Sequence, residues 1–196
     1  MGLNSWQQVT FGMANNCYNQ TLKSDRVFDT GCLAVNSRGE ILADACYVAG
    51  GRKNSFLDKS LRVREAPFFD NTGYNDEQII KVDLARAEKA GVKYLYFYMF
   101  GHDIDPNTPK MIENLEKTHY HIFDNKTNVN FHRVSNAAKL HAGLLAYTPE
   151  AKEAADDDEE PPKNNLWMGC YLVHLKEKTW TIESLKAYVR FLVVHR

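Results

Sequence analysis

Residues 92–100 read VKYLYFYMF, the most hydrophobic run in the chain, and they limit the fold more than any other stretch. The run is too short to cross a membrane, and its two faces are both apolar, so it suits a central strand with neighbours on either side. The rest of the sequence supplies those neighbours. Residues 27–35, VFDTGCLAV, and 41–48, ILADACYV, flank the turn-rich link Asn36, Ser37, Arg38, Gly39 and Glu40, the pattern of an antiparallel hairpin. Residues 120–124, YHIFD, and 131–134, FHRV, flank a second turn at 125–128, NKTN. Residues 166–175 and 179–182 form a closing pair across Lys176, Glu177 and Lys178. Near the start, Val9, Phe11 and Met13 alternate as a short strand before a polar loop at 14–23, and residues 49–60 read as a flexible connection leading to Leu61, Arg62 and Val63.

Helical signals are few. Residues 85–90 are helix-prone, with Gly91 placed to cap them. Thr108 and Pro109 open a short helix over 110–116; Ala137, Leu140, Leu144 and Leu145 share helical spacing; and Leu185, Val189 and Leu192 lie on one side of a closing helix. Aromatics make up 12% of the chain, with ten Tyr and ten Phe, which favours aromatic-rich strands over a helical bundle. The expectation is a mainly β fold with a few short peripheral helices and a C-terminal helix. At 196 residues it is read as a single domain, 1–196. Its one shift in composition is residues 149–165, PEAKEAADDDEEPPKNN, a mobile acidic loop within an insertion spanning 136–165.

The formal net charge of −1 gives no general attraction for nucleic acid or an anionic membrane, so neither is expected as a partner. The N-terminal MGLNSWQQVTFG lacks the basic and apolar regions of a signal peptide, and Trp6 stands where a myristoylation motif wants Ser or Thr. A cytoplasmic location follows as an expectation, and with it the sequons at Asn19 and Asn125 carry no meaning. Cys17, Cys32, Cys46 and Cys170 are far apart and form no CxxC pair, which suits buried thiols rather than bridges or zinc ligands.

The chemistry concentrates in residues 68–84, FFDNTGYNDEQIIKVDL. Asp70, Asp76 and Glu77 supply carboxylates and Asn71 and Asn75 amide oxygens. Gly73 permits a reversal, and no Lys or Arg stands between Arg64 and Lys81. Hard oxygens without a counter-charge suit Ca²⁺, which takes six to eight of them loosely, better than Mg²⁺. The same residues also make ordinary turns. The spacing is not that of an EF-hand: counted from Asp70 the third residue is Thr72, the fifth Tyr74 and the twelfth Val82. Gln78, Ile80, Val82 and Leu84 then alternate against Lys81 and Asp83 as a half-buried strand. Any ion here would sit at the edge of a β structure.

This order of elements resembles the TerD-like family of tellurite-resistance and stress-response proteins over about residues 27–190. The most specific part is DNTGYNDE at 70–77 followed by IKVDL at 80–84, which is similar to the family's acidic calcium loop and the strand after it. VNSRG at 35–39 looks like the family's first hairpin turn, YHIFDNKTN at 120–128 its later strand and turn, and LWMGCYLVHLKEKTWTI at 166–182 its closing strands with Trp180. The resemblance implies a two-sheet β-sandwich, a non-catalytic calcium-binding role, Asp29 as a further ligand, and other stress-response proteins as partners. Three departures fall at the ion site. Val27 replaces the first member of an aspartate pair whose second is Asp29, Phe69 replaces the glycine before Asp70, and Asn75 stands where a glycine precedes the acidic pair. Family members hold two calcium ions on this reading. With a carboxylate gone, this chain is expected to hold one, or to hold it weakly.

Two rivals stand beside that expectation. One is a sandwich that has lost its ion and serves as an interaction or structural module. The other is an enzyme: His119 and His121 fall on one face of a strand and could present imidazoles to a transition metal, or Cys46 could pair with a histidine. No GxSxG, HExxH or phosphate-binding glycine loop supports catalysis.

Overall fold

The computed structural model describes residues 8–15, 28–46, 55–65, 76, 78–101, 118–124, 126–127, 129–137 and 166–185. They are mainly β, arranged as two antiparallel sheets. In chain order the strands are β1 (Gln8–Asn15), β2 (Asp29–Val35), β3 (Ile41–Cys46), β4 (Ser55–Phe56), β5 (Leu61–Glu65) and β6 (Gln78–Asp83). After helix α1 (Leu84–Lys89) come β7 (Tyr94–Gly101), β8 (Thr118–Asp124), β9 (Asn130–Val134), β10 (Leu166–Lys176) and β11 (Thr179–Ser184). One sheet runs β4-β5-β6-β1-β8-β9 and the other β11-β10-β7-β2-β3.

The run at 92–100 is the middle strand of the second sheet, with β10 on one side and β2 on the other. Its alternation divides the work between two faces. Leu95, Phe97 and Met99 point inward and are fully buried, while Tyr94, Tyr96 and Tyr98 line the outward face with Leu33 and Val35. Tyr98 lies over Gly31, where a Cβ would come within 2.0 Å of its ring, and its hydroxyl donates to Asp44 at 2.7 Å.

In the first sheet the strand at the centre is β1, which pairs with β6 and with β8. The short strand expected from Val9, Phe11 and Met13 is thus eight residues long and flanked on both sides. Its inward residues meet the other sheet directly: Phe11 packs on Phe97 at 5.4 Å between ring centroids and edge-on to Tyr171 at 5.9 Å. Tyr120 of β8 meets Tyr171 edge-on at 5.5 Å. These contacts make the two sheets the halves of a sandwich with an aromatic core.

The turns follow local chemistry. Between β2 and β3, Asn36 Oδ1 accepts from the N–H groups of Arg38 and Glu40, and Gly39 takes φ +83. Between β8 and β9, Asp124 accepts from Lys126 N and Thr127 Oγ1. Between β10 and β11, Glu177 and Lys178 both have positive φ, the geometry that lets a two-residue turn match strand twist. The expected helix at 85–90 is α1. Asp83 caps it by accepting from Arg86 N at 3.0 Å, and Gly91 closes it at φ +84. The helices expected at 110–116 and after 185, most of the segment 135–148, the acidic loop and Cys17 lie outside the described residues. Among the described residues, no helix is long and apolar enough to cross a membrane.

Cys32 and Cys170 are free and buried, and burial pushes both thiols above their ordinary range. Burial likewise raises the hydroxyls of Tyr120 and Tyr171, with Cys170 adding to each. All four groups are thereby held protonated in the fold while the unfolded chain can release their protons. Their contribution is fully present below the unfolded thiol and phenol range and is lost progressively as pH rises from there toward the raised values in the fold. Urea midpoints measured across alkaline pH should therefore fall above about pH 9, and a flat profile there would contradict this burial.

Candidate functional site

Asp76 stands just before β6 and is 2% exposed. It lies over the backbone of Gly12 in β1, where a Cβ would come within 2.2 Å of its Oδ2. Directly across the ladder from Gly12 is His121 of β8. Its Nε2 donates to Asp76 Oδ2 at 2.7 Å, with both side chains wholly enclosed. On the other side of the ring, Nδ1 is 2.5 Å from Oδ1 of Asn130 at the start of β9, and Phe123 stacks on it at 4.8 Å. The alternation of β8 causes this arrangement: Tyr120 and Ile122 enter the core, so His119, His121 and Phe123 face outward beside Gly12 and Thr10. The second oxygen of Asp76, Oδ1, is buried and has no hydrogen-bond partner among the described residues. Leaving a buried polar atom unmet costs about 1–3 kcal/mol, and more for a charged one.

Asp29 is placed differently. Its Oδ1 accepts from Gln78 Nε2 at 3.1 Å, and the rest of the Gln78 amide is spent between the sheets. Gln78 Oε1 accepts from Thr30 N at 2.8 Å and Thr30 Oγ1 at 2.9 Å, and its Nε2 also donates to the Phe28 carbonyl. This knot is on the inward face of the first sheet, and Asp76 is on the outward face over Gly12. Both Asp29 and Asp76 are thus described, each with one carboxylate oxygen in a hydrogen bond. Asp70, Asn71, Asn75 and Glu77 lie outside the described residues. Among the described residues, no three His, Cys, Asp or Glu side chains gather as a metal site.

As for the imidazole pair, His119 and His121 do share the outward face and both are buried. The two ring nitrogens of His121 lie within hydrogen-bond distance of Asp76 and Asn130. The side chain of Cys46 lies outside the described residues.

Gly12, Asn130 and the histidine's part as a partner of Asp76 were not anticipated from the sequence. Two signals were there to read. A glycine inside a strand marks a close approach, and Gln78 on an otherwise apolar face marks a buried polar anchor. Neither a protein-family model nor a curated protein matches the chain.

Two substitutions separate the two faces. Gly12→Ala should displace the Asp76 carboxylate and cost about 1–3 kcal/mol as overpacking does. Gln78→Leu should cost a similar amount by stripping Thr30 N–H and the Phe28 carbonyl of buried partners. Denaturant titration of both variants checks this, and a wild-type midpoint in either would remove its contact from the account.

Proposed function

We propose that the chain is a non-catalytic binding module whose β-sandwich is stabilised, and its outward surface set, by a calcium ion held at residues 70–77. One observation carries the proposal: Asp76 buries a carboxylate oxygen with no partner among the described residues, at the end of the stretch richest in oxygen donors. The ligand set proposed is Asp76 with Asp70 and Glu77, and the amide oxygens of Asn71 and Asn75. Asp29, whose Oδ1 accepts from Gln78 Nε2, completes the set. Bound calcium would supply positive charge to carboxylates that otherwise repel one another. Asp76 is fixed on the sheet by His121. The resemblance to TerD-like proteins extends the proposal to a stress-response role in the cytoplasm.

A second reading draws on a specific contact. His121 already meets half of the Asp76 carboxylate, as it would in a sandwich that works without an ion. Melting curves decide between the two. At a free calcium concentration of about 100 times the dissociation constant, binding to the folded state alone adds roughly 2.7 kcal/mol. For a chain of this size that is a rise of about 5–10 °C. The rise should be reversed by chelator and lost in Asp76→Asn and in Asp70→Ala. An unchanged rise in both variants would put the ion elsewhere, and no rise in the wild type would select the ion-independent sandwich.

A further inference from the structure

We infer that the outward face of the second sheet is a binding platform for a neutral carbohydrate, built on Tyr94 and Tyr96 of β7. Strand register sets one row across that face: Glu183, Leu172, Tyr96, Leu33 and Asp44, one from each strand. The row is apolar and aromatic in the middle and has a carboxylate at each end, about 19 Å apart at four strand spacings. In the next row His174 pairs with Tyr94, which pairs with Val35. The rings here are arranged unlike those of the core. Phe11, Tyr120 and Tyr171 meet one another at interplanar angles of 52°, 76° and 78°. Tyr94, by contrast, is within 9° of parallel to His174 at 6.5 Å and within 32° of Tyr96 at 6.4 Å. Rings that share an orientation make a strip, and both tyrosines are half-buried on it.

The charges select the class of ligand. Carboxylates at both ends of the strip repel the phosphates of nucleic acid and of an anionic membrane. Both acids are also partly answered, since Asp44 Oδ1 accepts from the Tyr98 hydroxyl at 2.7 Å and Glu183 Oε1 is 2.9 Å from His174 Nε2. Lys176, exposed and on the same side of β10 as His174 by alternation, further offsets them, so the face does not favour a cation. A stable protein partner needs about 800 Å² of each surface. Leu33, Val35 and Tyr98 are already less than a tenth exposed, which leaves the rims of Tyr94, Tyr96 and Leu172, with Ile41 at the sheet edge, too little for such an interface. What fits is an uncharged ring with C–H groups on its faces and hydroxyls around its rim. Its C–H groups pack on the tyrosines, whose bodies are apolar and whose tips are polar. Its hydroxyls donate to Asp44 Oδ2 and Glu183 Oε2, which take no hydrogen bond among the described residues, and accept from the tyrosine hydroxyls. The span of about 19 Å suits a chain of such rings rather than one.

Calorimetric titration of the full chain with cellohexaose, laminarihexaose, maltohexaose and chitohexaose tests this. The titrations are run in chelator, so that the outcome does not depend on the calcium reading. At least one of the four sugars is expected to bind, with affinity at least about 5-fold weaker in Tyr94→Ala and in Tyr96→Ala. Val129→Ser, which alters an exposed side chain beside the first sheet, should leave it unchanged. Melting curves separate lost fold from lost affinity. Should the alanine variants fail to fold, amide shifts of the wild type on adding the sugar carry the test, and they should centre on residues 94–96 and 172–174. Shifts centred elsewhere, or unchanged affinity in both alanine variants, overturn the site. Binding of none of the four sugars overturns the ligand class. Spermine binding or self-association in place of sugar binding, abolished by Tyr96→Ala, overturns it in favour of a polycation or a second copy of the chain.

Discussion

The hydrogen bond between Asp76 and His121 is the contact on which the site depends. A carboxylate enclosed on the outward face of a sheet has to be answered by donors or by charge, because protein interior screens it poorly. Here one oxygen is answered by an imidazole that β8 presents, and the other is not answered by any described residue. The whole arrangement needs bare backbone beneath it, which Gly12 provides at the centre of the sheet. Asp76 is thereby tied to strands that make the core.

The first sheet carries polar chemistry on both faces near the same strand end. Gln78 uses its whole amide between the sheets, joining β6 to β2 through Thr30, Phe28 and Asp29. Asp76, two residues earlier, belongs to the other face. The aromatic core of Phe11, Phe97, Tyr120 and Tyr171 lies between the sheets and sets their separation, which in turn lets Gln78 reach across.

Most of the strand content was legible from the chain. The run at 92–100 is central because both faces are apolar, and the three hairpins announce themselves through Asn36 to Gly39, Asp124 to Thr127, and Glu177 with Lys178. The prominence of β1 was hidden, since only Val9, Phe11 and Met13 marked it and Ala14 read as the start of a polar loop, although Thr10 and Ala14 are wholly buried. Both β4 and β5 were hidden too, because two residues and the charged LRVRE do not make a clear alternation. Partnerships across long separations are the least legible of all. Asp76 looked like one acid among several until β8 brought His121 to it. Periodicity tells which face a side chain takes but not which distant strand will lie beside it.

The central claim is that Asp76 Oδ1 is the fixed oxygen of a calcium site. A crystal structure of the protein grown in excess calcium, with terbium exchanged for calcium to mark the ion by anomalous scattering, tests it most directly. The account predicts an ion at about 2.3–2.6 Å from Asp76 Oδ1, with Oδ2 still on His121. A crystal in which Oδ1 is instead met by a backbone N–H, a lysine or an arginine, with no ion beside it, would contradict the claim.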